Sequence, residues 1–170
     1  GLVAETYEAY ASLWRYCLDV DLIDTIHAPI RAVDEGLPWM LADPRRLQRS
    51  VRDSLWLRLV DVGNALSARL YNQTARLVLE VRDPFCSWNN KTFELEGSDH
   101  GAVCKPTSIS PDISLSAADL ATAYLGAASF TTLAKAGRVE EKTPGGLSRA
   151  DTMFTTALQP WSPSYDWLGR

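Results

Sequence analysis

A chain of 170 residues that is 46% hydrophobic and 22% charged has the composition of a soluble globular protein, and its length suits one full domain with part of another. No apolar run approaches the roughly 20 residues that cross a bilayer, and the net charge of −4 disfavours nucleic acid, so neither a membrane nor a nucleic acid is expected as a partner. Cys17, Cys86 and Cys104 are widely spaced and odd in number, which argues against a disulfide framework and predicts a reducing, cytoplasmic location.

The first 50 residues predict the end of one folded unit. Residues 5–20 carry apolar and aromatic side chains at helical spacing, which predicts an amphipathic helix. Residues 22–30 are rich in leucine and isoleucine with prolines nearby, a pattern typical of a strand near a sheet edge. A lone helix and strand cannot form a core, so this pair is expected to complete a larger domain. Residues 33–44 predict a linker with one short helical turn.

The stretch 53–70 predicts a strand that passes directly into a helix. Leu55, Leu57 and Leu59 alternate with a mixed set of side chains, which indicates a strand with one apolar face. Asp61 is placed to accept the unpaired amides of a first helical turn, and apolar residues recur at helical spacing from there to Leu70. We therefore expect the rest of the chain to fold back on this strand and helix.

The remainder of the chain predicts strands first and helices afterwards. Alternating patterns predict four more strands, over residues 75–83, 92–96, 102–105 and 112–115. Three helices follow, one capped by Ser116, one over 129–136 closed by Gly137, and one over 147–158. The predicted fold class is α+β, with helices layered on an antiparallel sheet of about five strands.

No catalytic motif stands out from the residue pattern. The sequence contains no Gly-x-Ser-x-Gly, no zinc-ligand spacing, no phosphate loop and no Gly-x-Gly-x-x-Gly. His27 and His100 have no acid or cysteine at a telling distance, so each is expected to be a surface or satisfied core histidine.

The C-terminal segment 160–170 is unusual for a chain end. Its two prolines and three aromatic residues make it too rigid and too apolar for a frayed terminus, so it is expected to dock. Its aromatic residues either seal the core or contact a neighbouring domain. Alternatively, the segment carries Asp166 and its aromatic neighbours into a cleft for a cationic ligand.

Four short motifs carry a family resemblance. They are residues 13–21 (LWRYCLDVD), 37–45 (LPWMLADPR), 53–62 (DSLWLRLVDV) and 124–126 (YLG). In this order and spacing they resemble the C-terminal part of the Eis (enhanced intracellular survival) family of bacterial GNAT-type N-acetyltransferases. The resemblance implies that residues 1–50 contain the final helix and strand of a second GNAT-like domain with a linker, and that residues 51–170 form a domain with the sterol carrier protein fold.

The resemblance also implies an activity. Family members transfer acetyl from acetyl-CoA to amines, including those of aminoglycosides and lysine side chains, and typically assemble as hexamers. The implied partners are therefore an amine substrate, the N-terminal GNAT domains of the same protein and further copies in a homo-oligomer. In the family, acetyl-CoA is bound by the first GNAT domain, so this chain would lack the cofactor site and would be inactive alone.

The tail supplies the site residues that the resemblance implies. Aligned at Pro160, Tyr165, Asp166 and Trp167 fall on the last three residues of the family, where the chain forms one wall of an acidic amine pocket. The family's terminal carboxylate acts there as general base, but this chain continues to Arg170. Either the Arg170 carboxylate loops back, or Asp166 or another acid is the base, or the tail site has changed.

Asp53 is a second acid expected at the same cleft, because it lies where the two predicted units join. Its structural alternative is an ion pair with Arg52 or Arg58. Two other functions fit the same sequence: a module that holds an apolar ligand between sheet and helices, and a scaffold for oligomerisation. A continuous apolar tunnel would favour the ligand-binding module. Assembly of the chain without affinity for any ligand would favour the scaffold.

Overall fold

The protein is described by a computed structural model over residues 2–52 and 55–161. These residues belong to two compact units, the first comprising the residues up to Leu55 together with Trp161, and the second comprising Trp56–Pro160. Among the described residues, no helix is both long enough and apolar enough to cross a bilayer.

The first unit contains one α-helix, which confirms the helix predicted there. Helix α1 spans Tyr7–Leu18 and begins at Thr6, whose side chain accepts a hydrogen bond from the amide of Ala9 at 3.1 Å. Its buried residue is Trp14. Two short 3₁₀ turns follow, over Leu37–Trp39 and Pro44–Arg46.

The strand predicted over residues 22–30 is wrong. Leu22 and Ile30 both adopt a left-handed backbone, with φ of 64° and 60°, so the chain turns at each end of this stretch. Among residues 2–52 no strand is present to pair with it. Apolar composition alone predicted the strand, but a strand also needs a hydrogen-bonded neighbour.

The strand predicted over residues 53–60 is also wrong over its described part, 55–60. The carbonyl of Val60 accepts hydrogen bonds from Trp88 Nε1 at 2.8 Å and from Asn89 Nδ2 at 3.2 Å. The Trp88 and Asn89 side chains therefore donate to a backbone carbonyl that would accept a hydrogen bond from a neighbouring strand in a sheet. Leu59 is buried, whereas Leu55 and Val60 are exposed, so the alternating pattern does not mark a buried face.

Helix α2 begins where the sequence predicts it. It spans Val62–Ser67, and the Asp61 carboxylate accepts a hydrogen bond from the amide of Asn64 at 2.9 Å. The helix ends before Leu70, which is exposed.

The second unit is built on a five-stranded sheet, which confirms the α+β class. The strands are β1 (Ala75–Arg82), β2 (Lys91–Ser98), β3 (Gly101–Pro106), β4 (Ile113–Ser116) and β5 (Val139–Glu141), in the spatial order β3-β2-β1-β4-β5. The sheet is mixed rather than antiparallel, because β4 runs parallel to β1 with Ile113 opposite Leu79. The connection after β3 carries the chain past β2 and β1 to the other side of β1, which sets this parallel pairing.

Three helices follow β4 and pack on the sheet. They are α3 (Ala117–Tyr124), α4 (Phe130–Lys135) and α5 (Gly146–Phe154). Ser116 caps α3 as predicted, and Ser129, predicted as the first residue of the next helix, caps α4. The core between helices and sheet is filled by the protein's own side chains. Phe154 packs edge-to-face on both Phe130 and Tyr71, with ring centroids 4.9 and 5.3 Å apart.

The close approach of β2 to the buried ring of Tyr71 yields a stability prediction. A Cβ atom at Gly97 would lie 2.5 Å from a Tyr71 ring carbon, and Tyr71 is only 2% exposed, so the ring has no room to move. We expect Gly97→Ala to lower the free energy of unfolding by about 1 to 3 kcal/mol in denaturant titrations.

The matched control is Gly63→Ala in helix α2, where an added Cβ would meet its nearest neighbour at an ordinary 3.5 Å. This variant should be neutral, or more stable by up to about 1 kcal/mol, because alanine favours a helix interior. Equal stability of Gly97→Ala and the parent chain would contradict the packing described for Tyr71.

Candidate functional site

A groove of about 640 Å³ lies in the first unit beside the N-terminal turn of α1. Its volume is in the range of small-molecule sites. It is lined by residues of α1 and of the segment that leads into the Leu37–Trp39 turn, namely Ala4, Glu5, Thr6, Tyr7, Tyr10, Arg31, Ala32, Glu35, Gly36, Trp39 and Met40.

A hydrogen-bonded ion pair forms one wall of the groove. Arg31 donates to the Glu35 carboxylate through Nε at 2.9 Å and Nη2 at 2.6 Å, and through Nη1 to the carbonyl of Leu2 at 2.8 Å. The Tyr10 hydroxyl donates to the same carboxylate. The Glu35 side chain is only 10% exposed, so its charge depends on these donors rather than on water.

The ionisation states in this wall follow from the same contacts. Burial by itself raises the pKa of Glu35, but the hydrogen bonds from Arg31 and Tyr10 and the Arg31 charge outweigh it and lower that pKa. Burial, with the hydrogen bond to Glu35, raises the pKa of the Tyr10 phenol. At neutral pH the wall is therefore an ionised pair with a neutral phenol, and it offers no carboxylate poised to take a proton.

Aromatic rings surround this ion pair. The Arg31 guanidinium carbon lies 5.6 Å from the centroid of Trp14 and 5.9 Å from that of Tyr10, within cation–π range. Tyr7 and Trp39, which also line the groove, are 69% and 91% exposed. The groove thus combines a neutralised polar wall with exposed aromatic side chains.

In the second unit, the most strongly held charge is that of Asp83, which follows β1 directly. Its buried carboxylate accepts hydrogen bonds from the amides of Phe85 at 3.0 Å and Cys86 at 2.9 Å, and from Asn89 Nδ2 at 3.0 Å. The Arg58 guanidinium forms an ion pair with the same carboxylate. Burial raises the pKa of Asp83, but the Asn89 side chain, the two amides and the Arg58 charge together lower it to about 2.

Asn89 extends this network to helix α2. Its side-chain oxygen accepts the amide of Val62 at 3.1 Å, while its nitrogen donates to Asp83 and to the carbonyl of Val60. Asp83 and Asn89 therefore fasten the segment that leads into α2 onto the connection between β1 and β2. All of this hydrogen-bonding capacity is used internally, so the network is a structural anchor.

A half-buried charge belongs to Arg69, which has no acidic partner among the described residues. It donates to the carbonyls of Tyr124 and Phe154, the latter at 2.7 Å, at the C-terminal ends of α3 and α5. Helix dipoles favour a cation there. Burial lowers the pKa of Arg69, and the ring of Phe154 lies 4.5 Å from its guanidinium carbon. Arg69 thus joins two helix ends.

A smaller groove of about 220 Å³ lies beside α4 and includes Asp151, Ser129 and Thr156. The Asp151 carboxylate accepts the amides of Phe130 and Thr131 at the start of α4, the latter at 3.2 Å. Its charge therefore stabilises the helix start rather than facing a ligand.

The site residues predicted from sequence, Asp53, Tyr165, Asp166, Trp167 and Arg170, all lie outside the described residues. Their roles remain predictions. The histidines are surface side chains, as expected, and Nε2 of His100 lies 3.7 Å from a carboxylate oxygen of Asp99.

The cysteines form no disulfide. All three cysteines are unpaired, and burial raises the pKa of the Cys104 thiol to about 12, so that thiol stays protonated. Within residues 2–52 and 55–161, no group of three His, Cys, Asp or Glu side chains is placed to hold a metal ion.

Sequence reasoning missed both carboxylate networks. Glu35 lies in the stretch interpreted as a linker, although its spacing of four residues from Arg31 was a usable signal for an ion pair. Asp83 is the last residue of the strand predicted over 75–83, and its main partners lie 25 positions before it at Arg58 and 6 after it at Asn89.

The Asp83 network predicts a pH-dependent stability. Asp83→Asn keeps the shape of the side chain but removes the charge that Arg58 and the amide donors require, so we expect it to lower the free energy of unfolding by about 2 to 4 kcal/mol at pH 7. Because the folded pKa of about 2 lies below the usual 3.8, this stabilisation is complete above pH 3.8 and is lost as the pH falls through about 2.

Urea titrations of both proteins from pH 7 to pH 2 measure the difference. The control is Asp99→Asn, which removes the same charge from a side chain that is 69% exposed and should cost less than about 0.5 kcal/mol. A stability gap for Asp83→Asn that stays constant down to pH 2 would contradict the ionised, hydrogen-bonded state.

Two family models match consecutive parts of the chain. The model of the acetyltransferase (GNAT) domain matches residues 1–59, and that of the sterol carrier protein domain matches residues 62–163.

Curated relatives show the same kinship. An uncharacterized N-acetyltransferase of Streptomyces avermitilis is 45% identical over 155 residues, which cover 91% of this chain and 38% of the relative. The N-acetyltransferase Eis of Mycobacterium tuberculosis is 35% identical over 159 residues, again 91% of this chain and 38% of the relative. The chain thus spans less than two fifths of the length of these relatives.

Solved structures agree with these matches. The crystal structure of Eis1 from Mycobacterium abscessus superposes with a TM-score of 0.79 at 39% identity, over 96% of this chain and 41% of that one. A GCN5-related N-acetyltransferase from Kribbella flavida superposes with a TM-score of 0.58 at 26% identity, over 64% of this chain and 28% of that one.

Proposed function

The chain belongs to the Eis family of GNAT-type N-acetyltransferases, and we propose that it forms part of an enzyme that transfers acetyl from acetyl-CoA to amines. The observation that carries this proposal is the similarity to Eis1 over 96% of the chain, together with the consecutive GNAT and sterol carrier protein domains. The substrate class is an amine of the aminoglycoside or lysine type. The location is cytoplasmic, and the assembly is a homo-oligomer, a hexamer in the family.

In this proposal acetyl-CoA is held by residues outside these 170, and this part of the enzyme supplies substrate pocket and assembly surface. The absence of a phosphate loop and of Gly-x-Gly-x-x-Gly from the sequence supports this division.

In this proposal the C-terminal segment 160–170 binds the positively charged amine of the substrate. An alkylamine has a pKa near 10 and reaches the pocket protonated, so acids must hold the ammonium before a base removes its proton. Asp166 and Asp53 are the proposed acids, and Tyr165 and Trp167 flank the cation. The base is the terminal carboxylate of Arg170 or an acid such as Asp166. The deprotonated nitrogen attacks the thioester carbonyl, and the thiolate of CoA leaves.

Because the proposal places the acetyl-CoA site outside these 170 residues, the chain by itself should not bind acetyl-CoA. In calorimetry at up to about 1 mM acetyl-CoA, which corresponds to about 4 kcal/mol of binding free energy, the 170-residue chain should show no saturable heat. The full-length enzyme measured in parallel is the positive control, together with acetylation of a panel of amines. Micromolar binding by the chain alone would place the cofactor site within these residues.

The tail hypothesis predicts a substrate-binding defect. In the full-length enzyme, we expect Asp166→Ala to raise KM for a polyamine more than about tenfold, equivalent to about 1.4 kcal/mol, because an ammonium loses its counter-charge. The control is Asp99→Ala in the exposed β2–β3 loop, which should leave KM unchanged. If KM for Asp166→Ala matches that of the parent enzyme, Asp166 does not belong to the pocket.

A further inference from the structure

The ligand that the fold of the second unit implies is an apolar one, because the family model that matches residues 62–163 is that of the sterol carrier protein domain. Such a ligand would lie between the sheet and the helices, in a pocket of about 300 Å³ or more. Side chains that line a pocket of this size border a void and keep accessible surface. The exposed fraction of the side chains in this layer therefore distinguishes a ligand site from a closed core.

The layer between sheet and helices is closed among the described residues. Its apolar side chains form one continuous cluster. Side chains with an exposed fraction of zero come from three strands and three helices, and they include Leu77, Leu95, Leu115, Leu120, Phe130 and Met153. A side chain without accessible surface touches protein atoms on every side, so no void as large as a water molecule borders any of these six.

This burial does not depend on how much of the enzyme is present. All the buried members of the cluster lie between Leu59 and Phe154, so the second unit covers its own core. The chain spans 38% of the length of a relative. Further chain that packs on a domain covers its surface and leaves a closed core closed.

Three aromatic rings take up space within this cluster. Phe154 packs edge-to-face on Phe130 and Tyr71, with ring centroids 4.9 and 5.3 Å apart. The Tyr71 hydroxyl donates to the carbonyl of Leu66 at 2.8 Å, which fixes the position of its ring. The backbone of β2 approaches that ring so closely that a Cβ atom at Gly97 would lie 2.5 Å from it. No gap is left beside the Tyr71 ring for a further molecule.

The groove of about 220 Å³ beside α4 does not lead into the cluster. Phe130 and Phe154 belong to its lining but are only 0% and 3% exposed, so their rings close its inner end. Ser129, Asp151 and Gln159 make much of its remaining lining polar. Its volume is below the about 300 Å³ at which small-molecule pockets begin.

A cation beside the aromatic rings also favours the closed core. The guanidinium carbon of Arg69 lies 4.5 Å from the ring centroid of Phe154 and 5.3 Å from that of Tyr71. An apolar ligand that displaced these rings would remove the aromatic contacts of a half-buried charge that has no acidic partner among the described residues. Apolar atoms offer such a charge no compensation.

We propose that the second unit, despite its sterol carrier protein fold, is a closed structural module that holds no apolar ligand and contributes to the enzyme only through its surface. Of the two further functions that fit the sequence, this inference rejects the ligand-binding module and retains the scaffold. It does not rest on the proposed acetyl transfer, because it concerns only the packing between sheet and helices.

The two methionines of the chain allow a direct test of the interior. Met153 has an exposed fraction of zero within the cluster, whereas Met40 belongs to the first unit and is half-buried. The 170-residue chain, labelled with ¹³C at the methionine methyl groups, is titrated with a fatty acid, cis-parinaric acid, and with a sterol, dehydroergosterol. The two NMR signals are assigned with Met40→Leu.

We expect the Met153 signal to stay unchanged up to about 100 μM of either probe, a concentration that would saturate a micromolar site. A saturable shift of the Met153 signal, or a second Met153 signal for a bound state, would overturn the proposal. A rise in probe fluorescence with an unchanged Met153 signal would show binding at the surface and would support the closed core.

Two variants check that Met153 reports on the cluster. Leu77→Val removes one methylene from β1, on which α5 packs, and should shift the Met153 signal but not the Met40 signal. The matched control, Ile109→Val, makes a similar change at a side chain that is 43% exposed and should shift neither signal. An unchanged Met153 signal in Leu77→Val would contradict the continuous packing and overturn the proposal. No step of the test involves acetylation, so its outcome and that of the proposed reaction are independent.

Discussion

The burial of the Asp83 carboxylate constrains the architecture of the second unit more than any other contact. A carboxylate removed from water needs several donors, and Asp83 obtains them from the amides of Phe85 and Cys86, from Asn89 and from Arg58. These donors come from both sides of β1 in the sequence. The charge can be satisfied only when the segment before α2 and the connection after β1 are both in place, so it couples the start of α2 to the sheet.

The first unit uses the same physical solution with different residues. Glu35 is held by Arg31 and Tyr10, and Trp14 and Tyr10 form an aromatic surround for the guanidinium. The ion pair gives a small unit with few buried apolar residues a specific internal contact between α1 and the segment after residue 30. In both units, then, a buried carboxylate secures an irregular segment that has no strand partner among the described residues.

Local interactions were predictable from the sequence, and long-range pairing was not. Asp61 and Ser116 cap helices as expected, because a cap needs only an amide three residues ahead. The five-strand count was right but its membership was not: 53–60 was included wrongly, and β5 was missed because Val139–Glu141 holds a single apolar residue. Neither the parallel partner of β1 nor the donors of Asp83 leave a local pattern. The tail site came from family resemblance, and the Arg31–Glu35 ion pair was not predicted because Glu35 lies in a stretch that was interpreted as a linker.

The described acidic residues differ in whether their carboxylates already accept hydrogen bonds within the protein. Asp83, Glu35 and Asp151 accept hydrogen bonds that fold the chain, and a substrate ammonium would have to break those contacts before it could gain from the charge. An acid that recognises a cation must instead keep its lone pairs toward solvent until the ligand arrives, which makes it dispensable for folding.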